Sequence, residues 1–420
     1  MQPVVPSYRA TLAVPGFGRI MGASLLGRGA NAMLTVVLVL FVLARFHSPS
    51  LAGITVFVTL GPSLVVSPLA GALLDRHGRV RLMMLDYLIA AVALTAMAGL
   101  SATGWLSPPV LVVVALVSGI TGILSAAGMR SVVPLMLPEE LWGRGNALDS
   151  SGYTLTIIVG PALGGFAVGL LGPEAAIIVA AALYCTGALS LVGAHEPGER
   201  NTYTEPLLAS ALAGVRYVAR HSVLRAIALS LVWLNIGAGM VVVAMPVLAL
   251  RHLHGDSRAV GLLWAVQGVG GAVAGFIFGR IDTVGHERRL IVVCIMVIAL
   301  GTAVMAGAPN LYVLGLGSLV TGVAVGPLDV TLFSLRQRVT GPRWLGRAIA
   351  VSMTFNFIGF PLGSAVSGVF IGIGVRFALG LAAALAVAGG LIGVLMLPSG
   401  AGDEDHRDQH QPAAGELERP

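Results

Sequence analysis

The segment Asp75-Arg-His-Gly78-Arg-Val-Arg81 has an echo 207 residues later, Asp282-Thr-Val-Gly285-His-Glu-Arg288, with aspartate, glycine and arginine in the same spacing. A second segment, Pro138-Glu-Glu-Leu-Trp-Gly-Arg144, is matched at a shift of 203 by Gly341-Pro-Arg-Trp-Leu-Gly-Arg347. Each is a short polar break between long apolar runs. Two such similar shifts point to a duplicated unit of about half the chain. Parallel duplications of helical units are a recurring architecture of membrane transporters.

Outward from these breaks, apolar runs of spanning length continue to both ends. A membrane-crossing helix needs about 20 apolar residues. Spans 1 to 6 are expected at 21–44, 51–74, 82–103, 109–129, 150–172 and 175–194, and spans 7 to 12 at 224–249, 259–281, 290–308, 311–333, 347–371 and 376–397. Composition agrees: 56% of the 420 residues are apolar and 10% charged, against about 45–50% and about 25% in an average soluble domain. So few charges cannot cover that much apolar surface in water, and lipid is the expected solvent. The fold class read from this is an all-α integral membrane protein of twelve transmembrane helices in two six-helix repeats. Residues 1–194 form the first half, 195–223 a linker, 224–397 the second half and 398–420 a disordered, acidic tail. Within the linker, Glu205 to His221 reads as a surface helix with Arg216 and Arg220 toward water.

The arginines orient the bundle. The chain has 25 basic residues and none is lysine. With both termini cytoplasmic, only Arg45, Arg251, Arg258 and Arg376 fall on the far side and Arg28 falls inside span 1. The other arginines are then cytoplasmic, which satisfies the positive-inside rule. The net charge of +6 is thereby explained by topology, and no nucleic-acid partner is expected. The absence of lysine excludes a lysine-bearing phosphate loop and Schiff-base chemistry, so no ATPase function is expected of this chain. Two cysteines inside apolar runs, Cys185 and Cys294, provide no disulfide framework and no zinc site. Residues Met1 to Arg19 carry no apolar run before a small-residue cleavage site, so no signal peptide is expected. Clustered catalytic residues are not visible, and neither an enzyme, a metal nor a cofactor is expected.

Gly71-Ala-Leu-Leu-Asp75-Arg76-His-Gly78-Arg79-Val-Arg81 resembles the loop 2–3 signature of the major facilitator superfamily, G-x-x-x-D-R-x-G-R-[RK], with Val80 at the last position and the basic residue one later. Gly160-Pro161-Ala-Leu-Gly164-Gly165 in span 5 resembles the family's antiporter motif, and Arg130 to Leu148 is similar to the same stretch of its macrolide, siderophore and drug exporter branch. The resemblance covers about Phe17 to Leu397. It implies the major facilitator fold, and a cytoplasmic latch in which Asp75, supported by Gly71, Arg76, Gly78 and Arg79, meets the start of span 11 and must break in each cycle. Drug antiporters of the family often carry an arginine in span 4, four residues before a glycine. With that glycine at Gly122, Ser118 stands at the arginine position, so coupling through that residue is not expected.

Polar residues inside the spans are the other candidates, because they are costly in lipid. Arg28 and Asn31 in span 1 are candidates for the substrate cavity or coupling, as are Asn235, Gln267, Asp329 and Asn356. Asp329 and Asp86 are the candidate proton carriers. Asp149, at the expected start of span 5, reads as an N-terminal charge. Tyr153, Trp233 and Phe355 are further wall candidates, Trp105 an interfacial anchor, and Trp142 and Trp344 occupy equivalent loops of the two halves. The expected function is secondary active transport: proton-coupled efflux of a lipophilic drug or natural product by alternating access, across a bacterial cytoplasmic membrane. Two alternatives stand beside it. One is an importer of a small metabolite or anion on the same fold, for which Arg28 is the argument. The other is a membrane receptor or scaffold without transport.

Overall fold

A computed structural model describes residues 7–194, 207–281, 284–340 and 345–398. The first part of the expected linker, the tail beyond Pro398, Asp282 and residues 341–344 with Trp344 lie outside the described residues.

A short helix α1 (Tyr8–Ala13) precedes the bundle. Spans 1 to 3 are α2 (Phe17–Phe46), α3 (Pro49–His77) and α4 (Arg79–Ala102). Span 4 is α5 (Pro108–Ile120) continued by α6 (Gly122–Met136). Spans 5 and 6 are α7 (Glu139–Leu171) and α8 (Pro173–Leu191). The connecting helix α9 (Leu207–Arg220) follows, with Arg216 and Arg220 exposed as expected. Span 7 is α10 (Ser222–Val247), extended by one π turn (Leu248–His252) behind Pro246. Spans 8 to 12 are α11 (Ser257–Phe278), α12 (Glu287–Gly307), α13 (Leu311–Arg338), α14 (Leu345–Ile373) and α15 (Val375–Met396). Among the described residues, 11 helical stretches are long and apolar enough to cross a membrane. α3, apolar over Pro49–Leu64, makes the remaining crossing.

Local chemistry sets the ends. Ser48, Asp256 and Asn310 each accept a hydrogen bond from the backbone N–H three residues on, capping α3, α11 and α13. Pro49 and Pro173 begin α3 and α8, where a missing N–H costs nothing. Two boundaries differ from the sequence reading. Span 5 starts 11 residues earlier than expected, at Glu139, because its first three turns are polar and project beyond the apolar layer. Asp149 therefore lies in the third turn of α7 rather than at its start. Span 4 is broken at Thr121. Gly119 and Gly122 flank the break, and Gly119 lies directly against the Thr59 backbone of α3, where a Cβ has no room.

The packing repeats from one half to the other. In the first half α2 packs on α7 and α8, α4 on α8, and α3 and α4 on α5 and α6. In the second half α10 packs on α14 and α15, α12 on α15, and α11 and α12 on α13. Between the halves α7 meets α11 and α14 meets α3. These cross-contacts are backbone-close at the face opposite the chain termini. Gly165, in the last two turns of α7, lies against Gly261 of α11. Gly53 of α3 meets Ser364, and Gly368 of α14 meets Ser50. Small residues are what allow such approach between membrane helices.

Both copies of the duplicated loop place their glycine at positive φ. Gly78 joins α3 to α4 at φ 91°, ψ 134°, and Gly285, 207 residues on, has φ 76°. The conformation of Gly78 is essentially reserved for glycine. Gly78→Ala is expected to destabilise the protein by about 1–3 kcal/mol. Gly143→Ala, in the helical turns of α7 with open space around it, is expected to be neutral or to add up to about 1 kcal/mol. Thermal unfolding of the two variants in detergent measures the contrast.

Candidate functional site

The polar residues of the spans gather at one depth, between the halves and inside the first half. Arg28 of α2 and Asp149 of α7 form an ion pair, Nη1 to Oδ1 2.7 Å, with both side chains nearly buried at 13% and 11% exposure. The guanidinium also donates to the Asp149 carbonyl at 3.3 Å. It lies 5.7 Å from the centre of the Tyr153 ring, one turn further along α7, within range of a cation–π attraction. The helix geometry explains the reach. Side chains tilt toward a helix N-terminus, and Gly152 sits against Leu25. Arg28, one turn beyond Leu25, therefore leans back toward Asp149.

Around this pair the first half is unusually polar. Asp86 of α4 is 1% exposed and faces Ser125 and Thr121 of span 4. Its Oδ2 has no hydrogen-bond partner among the described residues. Tyr87, next to Asp86, lies against Gly27, where any Cβ would strike the ring, and its ring is 5.9 Å from that of Tyr184 in α8. Asn31, one turn above Arg28, is exposed. The span 4 break thus brings Thr121 and Ser125 to a buried carboxylate.

The second half answers with a neutral pair. Asn235 of α10 donates from Nδ2 to Asn356 Oδ1 of α14 at 2.8 Å, and to Leu231 O at 3.0 Å. Gln267 of α11 differs: its side-chain oxygen is buried and has no partner among the described residues, as is the indole nitrogen of Trp264 one turn away. Asp329 of α13 is exposed, although it sits more than two turns inside a membrane helix. Tyr153 is the aromatic neighbour of Arg28, 5.7 Å from its guanidinium. Tyr153 and Trp233, at 37% and 40% exposure, and Asn31 are also exposed. The glycine contacts join the two halves at the face opposite the termini; at the terminal face the side chains at the end of α3 and the start of α14 lie outside the described residues.

The remaining expected residues divide. Gly160, Gly164 and Gly165 form one seam on α7: the first two lie on Ala32 and Met33 of α2, the third on Gly261 of the other half. Pro161 is inside the same helix. Gly71 and Asp75 are in the last two turns of α3, but their side chains lie outside the described residues, so the latch is not seen. Arg76 is exposed and Arg79 half-buried. Two ionisable residues were not expected. Glu287, 1% exposed, pairs with Arg338 at 3.0 Å, and Arg336 is buried in the same helix α13. Trp142 Nε1 donates to Leu137 O at 2.8 Å and fastens the loop before α7.

Breaking a buried ion pair from one side strands the other charge, while removing both does not. Arg28→Leu is therefore expected to lower the unfolding temperature more than Arg28→Leu combined with Asp149→Leu. The same cycle on Asn235 and Asn356 is expected to give a coupling on the order of 0.6 kcal/mol, the typical size for a hydrogen bond between membrane helices. Thermal unfolding of the purified variants gives both cycles.

Comparison with known proteins agrees with this architecture. A family model described as a transmembrane secretion effector matches residues 9–418. The MFS-type transporter y4rN of Sinorhizobium fredii is 39% identical over 369 residues, which cover 87% of this chain and 91% of that one. The multidrug efflux pump Tap of Mycolicibacterium fortuitum is 25% identical over 363 residues, 83% of this chain and 87% of the pump. Among solved structures, the nucleoside transporter NupG superposes with a TM-score of 0.72 at 15% identity, covering 91% of this chain and all of that one. At that identity the superposition speaks for the fold. With a family match across nearly the whole chain and a relative close to 40% identical, the protein belongs to the transmembrane secretion effector family of major facilitator transporters.

Proposed function

We propose that this transporter exports a lipophilic drug or natural product from a bacterial cell in exchange for protons, by rocking residues 1–194 against 224–397. The observation that carries the reading is the seam along α7. Gly160 and Gly164 fix α7 to α2 within its own half, and Gly165 seats it on Gly261 of the other half. One helix is thus rigid on one side and separable on the other, as alternating access requires. The same residues form the motif that resembles the family's antiporters, and an efflux pump stands among the relatives.

The arginine distribution supports placing both termini in the cytoplasm. On that orientation the glycine contacts join the halves at the outer face, and an opening between them on the other side faces the cytoplasm, where an exporter collects its substrate. A bacterial cytoplasmic membrane is the corresponding location. Arg28 offers little to an imported anion in this conformation, because Asp149 already holds it. The wall is mixed: Tyr153 and Trp233 provide aromatic surface, and Asn31, Gln267 and Asp329 provide sparse polar contacts. Such a wall suits a substrate that is largely apolar with a few hydrogen-bonding groups. The coupling proton requires a carboxylate in reach of the opening, and Asp86, Asp149 and Asp329 are the three at the right depth.

The test is accumulation of a panel of lipophilic dyes and antibiotics, ethidium among them, in a pump-deficient bacterial host. Expression is expected to lower accumulation of at least one compound, and a protonophore is expected to abolish the difference. Higher accumulation on expression would reverse the direction of transport. In the same assay Gly165→Val is expected to abolish export while the protein still reaches the membrane, since the added bulk meets the α11 backbone at Gly261 and prevents closure of the opposite face.

A further inference from the structure

The two interhelical polar pairs join the same two helices of the two repeats. Shifting Arg28 and Asp149 by 207 residues, the shift of the duplicated Asp75 loop, lands on Asn235 and Asn356. Each pair spans 121 residues and joins the first and fifth helices of its half. The 203-residue shift of the loop before α7 puts Ser352, one turn before Asn356, opposite Asp149; each half nevertheless carries one polar clamp between its first and fifth helices. In the first half the clamp is an ion pair at 2.7 Å, and in the second a neutral amide bond at 2.8 Å. An amide does not ionise near neutral pH. A carboxylate does, and only one of the two clamps contains one.

We infer that Asp149 is the group that binds and releases the coupling proton, and that the Arg28–Asp149 clamp is the element the proton switches. This rests on the proton-coupled reading above and assigns the coupling to the first half. The ion pair requires Asp149 to be deprotonated, so the conformation described here is the one that has released its proton. When the opening faces the other side, one proton from that side adds to Asp149 Oδ1. The carboxylate becomes a neutral carboxylic acid, the guanidinium keeps its charge, and its bond to Oδ1 gives way. Arg28 then has the Tyr153 ring as its neighbour on the opening side. On return the proton leaves to water at the terminal face and the ion pair re-forms. The Asn235–Asn356 bond is the same in both states, so the second half keeps a fixed helix pair against which the first half can change.

The surrounding groups are consistent with a clamp that feels the opening. Asp86 and Tyr87 of α4, Tyr184 of α8, Arg130 of α6, Tyr153 of α7 itself and Asp329 of α13 face this region. α11, the other neighbour of α7, contributes only Arg258, which is bonded to Gly169 O at the opposite face. Asp86 is sealed from the opening at 1% exposure. Asp329 is exposed but has no ion-pair partner as near as the one that Asp149 has in Arg28.

Hydrogen–deuterium exchange of the purified full-length protein, followed by mass spectrometry at the acidic and alkaline ends of its stable range, tests this without any substrate. After correction for intrinsic exchange, wild-type peptides from α2 around Arg28 and from α7 around Asp149 are expected to change protection with pH. Asp149→Asn is expected to lose that response and to hold the acidic pattern throughout, Asp149→Glu to keep the response, and Asp329→Asn to respond as wild type. The double variant Arg28→Asn with Asp149→Asn copies the second half's clamp and strands no charge. It is expected to be monodisperse on size exclusion and blind to pH, which keeps the test open if Asp149→Asn alone does not fold. A wild type that shows no response, or an Asp149→Asn protein or double variant that responds as wild type does, overturns the assignment. Export that ignores a protonophore in wild-type cells would instead overturn the coupling itself. Wild-type export that needs the proton gradient, with an equally gradient-dependent double variant, would overturn only the role of Asp149.

Discussion

Lipid offers no hydrogen-bond partner, and that constraint organises the structure from backbone to site. Backbone groups are satisfied within helices, and polar side chains must pair or face an opening. Most hydroxyls take the first route locally: Thr55, Thr59, Thr95, Thr302 and Thr331 each donate to the carbonyl four residues back. Larger groups cannot close on their own helix. Arg28 finds Asp149, Asn235 finds Asn356, and Glu287 finds Arg338. Asp329, Asn31 and the side-chain oxygen of Gln267 do not close this way. The first two are exposed, and the third is buried without a partner among the described residues. The residues that fail to pair, together with the one titratable pair beside them, mark the site.

Close helix packing obeys a second constraint, and glycine meets it. The 56 glycines are too many to be read one at a time, but the contacts sort them. Gly160 and Gly164 bring helices together within a half, and Gly53, Gly165, Gly261 and Gly368 do so between halves. The second group stands at the face opposite the termini, where the two halves touch in this conformation. Backbone-close contact there is compatible with a large motion because small residues present smooth surfaces with no side chain to withdraw. Arginines border the same face: Arg251, Arg258 and Arg376 each donate to a carbonyl at or next to a helix C-terminus, where positive charge is favoured.

The architecture was legible in the sequence because the bilayer demands a coarse signal, long apolar runs with arginine on one side. The span count, the connecting helix at Leu207–Arg220 and the repeat of Gly78 at Gly285 all follow from it. The ends of polar helical turns were not legible. Glu139 to Asp149 carries too little apolar character to register as part of span 5, although it is helical throughout. That error placed Asp149 at a helix terminus and hid its bond to Arg28. The break at Thr121 was equally silent, since Gly119 and Gly122 look like any membrane glycines until the Thr59 backbone is seen against them. Pairing across helices was within reach of the sequence in one case only. The shift of 207 found in the loops, applied to Arg28 and Asp149, would have indicated Asn235 and Asn356.

That correspondence argues for how a duplicated bundle acquires direction. Two identical halves would respond identically to a proton, and neither would provide a fixed reference for the other. Here each half has a clamp between its first and fifth helices, and the two differ in chemistry. One copy is an ion pair and the other a neutral amide bond. The cost of the charged version is lower beside an opening than in a sealed core, because water can reach the pair when it separates. The neutral version suits a helix pair that stays joined. On the proposed assignment, asymmetry at one position of a duplicated frame would let a proton act on one half alone, while the packing of α7 on α11 and of α14 on α3 would carry the motion to both.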